Sequence, residues 1–327
     1  LFGAAVSQKN FLGSGNALSF SLQRSSSIKE ARFSFTDPYH TVDGVSRGID
    51  LYLKQTDFDE AGTADYTTDD TGIGLSFGYP ISDESRVTTN FAIQNVNLKT
   101  AASVPTYIGD FLVSEGLPRT TRDADFVEYK IGAAYSYNTL NKAFLPTEGT
   151  RHRASFDLSI PGSDLEYYTA SYLGETYVPL LDAEDVSLKF KTRLGYGDGF
   201  GDSAGLPFLK NFFAGGIRSV RGYTYNSLGP QANGKQIGGN VLITGTAALQ
   251  FPLPGVKETD QARLSLFTDA GQVYADNAEL GDLRYSAGLA LGWMTPIGPL
   301  SFTYATALNS KSTDETEGFQ FSIGSTF

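Results

Sequence analysis

The side chains that most often carry out catalysis are few in this chain and stand far apart. His40 and His152 are the only histidines, and the sequence contains no cysteine. A three-histidine or thiolate zinc site therefore cannot form. A serine–histidine–acid hydrolase site is recognised by its geometry, but neither histidine stands near a nucleophile motif. The sequence thus predicts a protein that is not an enzyme and that holds no metal or cofactor.

One long connection carries the most distinctive polar chemistry. Residues 197–239 lack sustained hydrophobic periodicity and contain the segment GGIRSVRGY at 215–223. Loops of this length are uncommon inside compact domains and are usually functional or disordered. If the tip of the loop were buried, the charge of Arg221 would need an anion beside it.

Candidate partners for Arg221 lie on later segments of the chain. Asp269 shares one face of a predicted strand with Phe267 and Gly271, and Gln250 points inward from the strand before it. An arginine–carboxylate pair, bidentate where the geometry allows, would pin the loop to that strand. The alternative is that Arg221 lies on a solvated loop and that Asp269 only contacts interior water.

The elements that must position these residues are strands, because apolar and polar residues alternate with a period of two along the whole chain. Predicted strands begin near residues 2, 16, 28, 45, 69, 86, 126, 150, 165, 186, 240, 262, 283, 299 and 318. In one of them the apolar face consists of Leu283, Tyr285, Ala287, Leu289, Leu291 and Trp293. The pattern predicts an all-β, antiparallel fold with about fifteen visible strands.

Two architectures give such alternation, a soluble sandwich and a membrane barrel. Strands of roughly ten residues suit a tilted membrane crossing, whereas typical globular strands have about five or six. Charged residues occur in the middle of the polar faces, as a wet lumen requires, and aromatic residues such as Tyr79, Tyr196 and Trp293 recur near strand ends. We therefore expect a single transmembrane antiparallel β-barrel over residues 1–327.

The connections between strands fall into two kinds. Proline marks alternate connections, as at Pro38 and Pro80, while the long acidic connections 56–70, 100–125 and 309–318 lie between them. Short turns at one end and long loops at the other are typical of bacterial outer-membrane barrels. Such barrels have even strand numbers, so we expect a sixteenth strand, the first of the barrel, to precede this sequence.

Charge and hydropathy exclude two other classes of protein. The 25 Lys+Arg and 36 Asp+Glu give a net charge of −11, which argues against nucleic-acid binding. No apolar run approaches the roughly 18 residues of a membrane-spanning helix, which excludes a helical membrane protein.

Several motifs in combination resemble the BamA family of outer-membrane protein insertases. They are Val220-Arg221-Gly222-Tyr223, Gly238-Gly239-Asn240, Phe267-x-Asp269-x-Gly271, Asp37-Pro38-Tyr39, Ile160-Pro161-Gly162-Ser163-Asp164 and the ending Phe319-Gln320-Phe321-x-Ile323-Gly324. The resemblance spans nearly the whole chain.

The resemblance implies a 16-stranded barrel preceded by periplasmic POTRA domains, which this sequence does not include. It also implies that the long loop folds back into the lumen, where Asp269 holds Arg221. The sequence departs from the family pattern at Gln250, where a glutamate would be expected. We therefore expect Asp269 to be the principal partner of Arg221.

The resemblance further implies a lateral gate, in which the first and last barrel strands pair weakly and part. An incoming strand would then add by β-augmentation, through main-chain hydrogen bonds. The alternative is that the last strand simply closes the barrel. Its candidate gate residues are Phe319, Phe321, Ile323, Gly324 and Phe327.

The partners implied by the resemblance are unfolded outer-membrane β-barrel proteins, accessory BAM lipoproteins that bind mainly the POTRA domains, and the lipid and lipopolysaccharide of the Gram-negative outer membrane. Two other functions remain open. One is an outer-membrane translocator of the TamA or two-partner-secretion kind, which shares the loop motif. The other is a passive diffusion porin, which would lack the combined loop and strand motifs.

Overall fold

The computed structural model describes residues 2–60, 65–101, 103–180, 186–232, 234–253, 261–296 and 298–323. Within these ranges, no helix is both long and apolar enough to cross a membrane. The strands in chain order are β1 (Phe2–Gln8), β2 (Ala17–Arg24), β3 (Ile28–Asp37), β4 (Ser46–Asp57), β5 (Tyr66–Pro80), β6 (Ser85–Thr100), β7 (Asp123–Asn138), β8 (Gly149–Ser159), β9 (Tyr167–Pro179), β10 (Ser187–Gly199), β11 (Gly222–Tyr223), β12 (Gln231–Ala232), β13 (Lys235–Gln236), β14 (Val241–Pro252), β15 (Ala262–Tyr274), β16 (Arg284–Thr295), β17 (Gly298–Ala307), β18 (Thr316–Glu317) and β19 (Phe319–Ile323). One α-helix, α1 (Thr106–Ser114), lies between β6 and β7.

Fifteen of these strands form one antiparallel sheet in which each strand pairs with the next along the chain. The order runs from β1 to β10, continues through β14 to β17 and ends with β19. The predicted all-β fold with fifteen visible strands is confirmed, and each strand begins within about three residues of its predicted start.

Alternating exposure shows why the sequence forms this sheet. On β16 the side chains of Tyr285, Leu289 and Trp293 are exposed on the outer face, whereas Ser286 and Ala290 are buried on the inner face. An apolar outer surface opposite a polar inner surface is what lipid on one side and a lumen on the other require.

The long connections lie together at one end of the strands. One of them contains α1, which the sequence patterns did not predict. The helix buries Ile108 and Leu112, four residues apart and therefore on one helical face. Both belong to the same apolar cluster as Phe208 of the long loop. The loop and the helix thus form a shared apolar cluster at this end of the strands, which we call the apolar cap.

The long loop between β10 and β14 contacts strands that are far apart in the sheet. Lys210 reaches Glu128 on β7, Arg221 reaches Asp269 on β15, and Gly222 reaches Gln320 on β19. One loop can touch all three strands only if the sheet curves around it. The inner face and the loop therefore together form the core of the molecule.

Candidate functional site: the lumenal loop and the last strand

The loop enters the interior as two segments that pair with each other. We call the segment before the tip the first limb and the segment after it the second limb. Phe212 pairs with Gly239 and Ala214 pairs with Leu228, both in antiparallel bridges. These bridges bring the segment 215–227 to the tip of the loop. Val220 and Tyr223 in this tip are fully buried.

Arg221 and Asp269 form a bidentate pair at the inner wall. Arg221 Nε lies 2.7 Å from Asp269 Oδ2, and Arg221 Nη2 lies 2.7 Å from Oδ1. The backbone N–H of Arg221 also donates to Oδ2 at 3.0 Å, and Thr246 Oγ1 donates to Oδ1 at 2.8 Å. The two side chains are 4% and 0% exposed. Burial of both charges is tolerable because they neutralise each other through charge-assisted hydrogen bonds.

Phe267 and Gly271 shape the surface on which the loop tip rests. The guanidinium carbon of Arg221 lies 3.3 Å from the ring centroid of Phe267, so the cation stacks on the aromatic face. A Cβ atom at Gly271 would lie 2.7 Å from Cγ2 of Val220, closer than packing allows. The absence of a side chain at Gly271 therefore permits the close approach of the loop.

Gly222 and Tyr223 continue from the arginine towards the last strand. Gly222 has a φ of +85°, a left-handed conformation that glycine adopts without steric cost. The phenolic hydroxyl of Tyr223 donates to the carbonyl of Tyr285 at 3.3 Å. Together Gly222 and Tyr223 form β11, which pairs with β18 just before the last strand.

Gln320 on β19 connects the loop motif directly to the last strand. Its Oε1 accepts the backbone N–H of Gly222 at 3.4 Å, and its Nε2 donates to the carbonyl of Tyr223 at 2.8 Å. Gln320 is 5% exposed. Sequence reasoning missed this contact, although Gln320 stands between Phe319 and Phe321 and so points inward by alternation.

Gln250, the other predicted partner of Arg221, hydrogen-bonds a different residue. Its Nε2 donates to Oγ of Ser265 on the adjacent strand at 3.4 Å. It lies beside the loop tip, lining a small space that Arg221 also lines. The structure thus brings Gln250 to the loop, but the carboxylate that holds Arg221 is that of Asp269.

A second buried ionic contact anchors the first limb of the loop, and sequence reasoning missed it. Lys210 Nζ lies 2.8 Å from Oε1 of Glu128, which is 0% exposed, although the angles are not those of a hydrogen bond. The other carboxylate oxygen accepts Gln94 Nε2 at 3.0 Å and the hydroxyl of Tyr167 at 2.7 Å. In the sequence, this contact is indicated only by the position of Glu128 between Val127 and Tyr129, which places its side chain on the inner face.

The apolar cap continues outward from this anchor. Tyr107 and Phe111 of α1 both pack edge-on against Phe208, with ring centroids 5.5 and 5.0 Å apart. Burial in the cap raises the pKa of Tyr107 to about 12. The loop is therefore held at its first limb as well as at its tip.

The last strand presents its apolar face outward. Phe319, Phe321 and Ile323 are 58%, 63% and 61% exposed. Residues 319–323 pair with 304–300 of β17. Gly324 and Phe327, the other two predicted gate residues, lie outside the described residues.

This fold and its buried loop define a transmembrane β-barrel of the outer-membrane type. Residues 10–327 match the model of the Omp85 superfamily domain, and the chain belongs to the Omp85 superfamily. The predicted localisation, integral to the Gram-negative outer membrane, is thereby confirmed.

Comparison with individual proteins confirms the resemblance noted in the sequence. The chain is 34% identical over 359 residues to the outer membrane protein assembly factor BamA of Neisseria meningitidis serogroup B, covering 99% of this chain and 45% of that protein. The crystal structure of BamA from Haemophilus ducreyi lacking POTRA domains 1–3 matches with a TM-score of 0.91 at 29% identity, covering 99% of this chain and 67% of that one. CdiB from Acinetobacter baumannii matches with a TM-score of 0.58 at 11% identity, covering 98% and 55%, and shares the fold alone. The chain spans about half the length of the curated relatives it matches.

Proposed function

We propose that this chain is the barrel of a factor that inserts and folds β-barrel proteins in the outer membrane, through a lateral gate beside β19. The likeness to BamA assembly factors supports assembly rather than enzyme catalysis. The mechanism is strand exchange, which requires no nucleotide and no covalent intermediate.

The observation that carries this proposal is the contact between the loop motif and the last strand. Arg221 is pinned to Asp269, and the next two residues hydrogen-bond the side chain of Gln320. A shift of β19 must therefore break these bonds or move the loop tip. The pinned loop would in this way set the position of the strand that borders the gate.

We place the gate at the edge of β19 that faces away from β17, because the first barrel strand, expected before this sequence, would pair there. Within the described residues, β19 pairs with β17 and has no partner strand on its other edge. Unpaired main-chain groups facing lipid cost several kcal/mol each, so this edge favours a partner strand. A substrate strand would satisfy the same groups by β-augmentation. The exposed Phe319, Phe321 and Ile323 would face lipid beside that edge, and Gly324 and Phe327 complete the set of proposed gate residues.

The proposed partners follow from this role. Unfolded outer-membrane β-barrel proteins would be the substrates, and accessory BAM lipoproteins would bind mainly to POTRA domains preceding the barrel. Membrane lipid and lipopolysaccharide would surround the outer face. A passive porin is less well supported, because the lumen is occupied by a loop that two buried ionic contacts anchor.

The test is complementation of a strain depleted of the wild-type protein. A full-length Asp269→Asn variant should lower the amount of folded, heat-modifiable porin, whereas Asp50→Asn should not. Asp50 is an inner-face carboxylate that accepts a hydrogen bond from Ser34 on the adjacent strand. Normal porin levels with Asp269→Asn at normal expression would contradict the proposal. Loss of one exported protein with unchanged porins would instead indicate a translocator.

A further inference from the structure

Positively charged residues surround a cavity of about 330 Å³ between the loop tip and the inner face of β8 to β10. We call it the basic cavity. Its charged lining residues are Arg151, Glu175, Lys189, Lys191, Arg193 and Arg218.

Strand register explains why the cations gather here. Lys189, Lys191 and Arg193 alternate along β10, so all three point inward while Phe190 and Leu194 are exposed outside. Arg218 comes from the loop tip, three residues before the buried Arg221. Two separate parts of the chain therefore bring cations to one space.

Carboxylates in the basic cavity are too few to balance these charges. Glu175 is the one lining carboxylate; its Oε2 lies 2.5 Å from Arg151 Nη2, and its Oε1 lies 3.8 Å from Lys191 Nζ. With Lys189 left aside, four basic side chains thus face one carboxylate. Within the described part of the chain, neither Arg193 nor Arg218 has an ion-pair partner.

Because these basic side chains lie in an enclosed space, their excess of positive charge favours the binding of an anion. Like charges in a cleft with low-dielectric walls produce a focused positive potential that concentrates anions. Arginine forks match the oxygens of phosphate, and lysine contributes a compact point charge. The cavity lies on the inner face of the strands, which separate it from lipid, so a soluble anion fits better than an acylated one.

We propose that the basic cavity binds a soluble, multiply charged oxyanion of the phosphate class, held by Lys191, Arg193 and Arg218. The neutral amide of Gln250 lines the same cavity. A carboxylate at this position would neutralise part of the site from within. Gln250→Glu therefore weakens anion binding while leaving every cation in place.

The experiment titrates pyrophosphate into the full-length protein in phosphatidylcholine vesicles, at constant ionic strength set with chloride, and measures heat. We expect saturable binding to one site. Lys191→Gln and Arg193→Gln should each weaken it about tenfold, the effect of losing one charge-assisted contact, and Gln250→Glu should weaken it about as much by placing a negative charge beside the anion. Lys54→Gln, which changes a lysine on β4 paired in register with Asp70, should leave the affinity unchanged.

Two results would overturn the proposal. One is the absence of saturable binding to the folded wild-type protein. The other is equal affinity in the wild type and the three cavity variants. If a lysine or arginine variant does not fold, as judged by heat-modifiable mobility, Gln250→Glu decides alone, and unchanged affinity in that variant refutes the site.

Discussion

Replacing Asp269 by asparagine should release the loop tip from the barrel wall. The substitution keeps the shape of the side chain but leaves the guanidinium of Arg221, 4% exposed, without its anion. Removing one partner of a buried ion pair costs about 3–5 kcal/mol. Since about 1.4 kcal/mol corresponds to a factor of ten, local opening of the loop should become about two to three and a half powers of ten more frequent.

Hydrogen–deuterium exchange on the full-length protein in vesicles measures this opening directly. Amides of the segment 215–227 should lose protection in Asp269→Asn, while the strands of the sheet keep theirs. Thr246→Val removes one hydrogen bond to the same carboxylate, 2.8 Å long, and should cost less than loss of the ion pair, about 1.5–3 kcal/mol. Asp50→Asn is the control for loss of an inner-face carboxylate away from this pair.

The reasoning is refuted if Asp269→Asn changes loop protection by less than about threefold, or if Asp50→Asn changes it equally. The first result would mean that Arg221 and Asp269 contribute little net docking energy, as happens when desolvation offsets attraction. The second would mean that the loop responds to the charge of the lumen in general.

Three further substitutions probe the other contacts of the loop. Gly271→Val places side-chain atoms against Val220 and should weaken docking by about 1–3 kcal/mol, seen as faster exchange at the loop tip; unchanged exchange would contradict the close approach. Lys210→Met leaves the buried Glu128 without its cation. It should increase protease cleavage of the first limb while the tip stays protected. Equal loss of protection in the first limb and the tip would mean that the two anchors are not independent. Gln320→Leu removes two hydrogen bonds to the loop and should speed exchange of the tip and of β19 together; an effect on β19 alone would exclude the coupling.

The fold was predictable because lipid and lumen impose opposite demands on alternate residues of every strand. That demand is local, so the strands could be located without knowledge of their partners. The inward direction of Asp269 followed from the same rule, through its phase relative to Leu264 and Leu266.

The contacts of the loop were harder to predict, because they depend on the path of about forty residues without periodicity. Arg221 and Asp269 are 48 residues apart in sequence, and Gly222 and Gln320 are 98 apart. For the first pair a family resemblance pointed to the contact, whereas for Gln320 and for Lys210 with Glu128 only the inward phase of one partner was visible. The helix α1 was missed because its nine residues give too short an apolar pattern against a strand-rich background.

The most direct test of the account is a reversible lock on the proposed gate. Because residues 1–327 contain no cysteine, one cysteine on β19 and one on the first barrel strand, expected before this sequence, would form a disulfide across the proposed gate. In cells that depend on this full-length variant, the account predicts that porin assembly stops while the cross-link is complete and resumes after reduction, with single-cysteine variants unaffected. Normal porin assembly with a complete cross-link would contradict lateral opening beside the last strand.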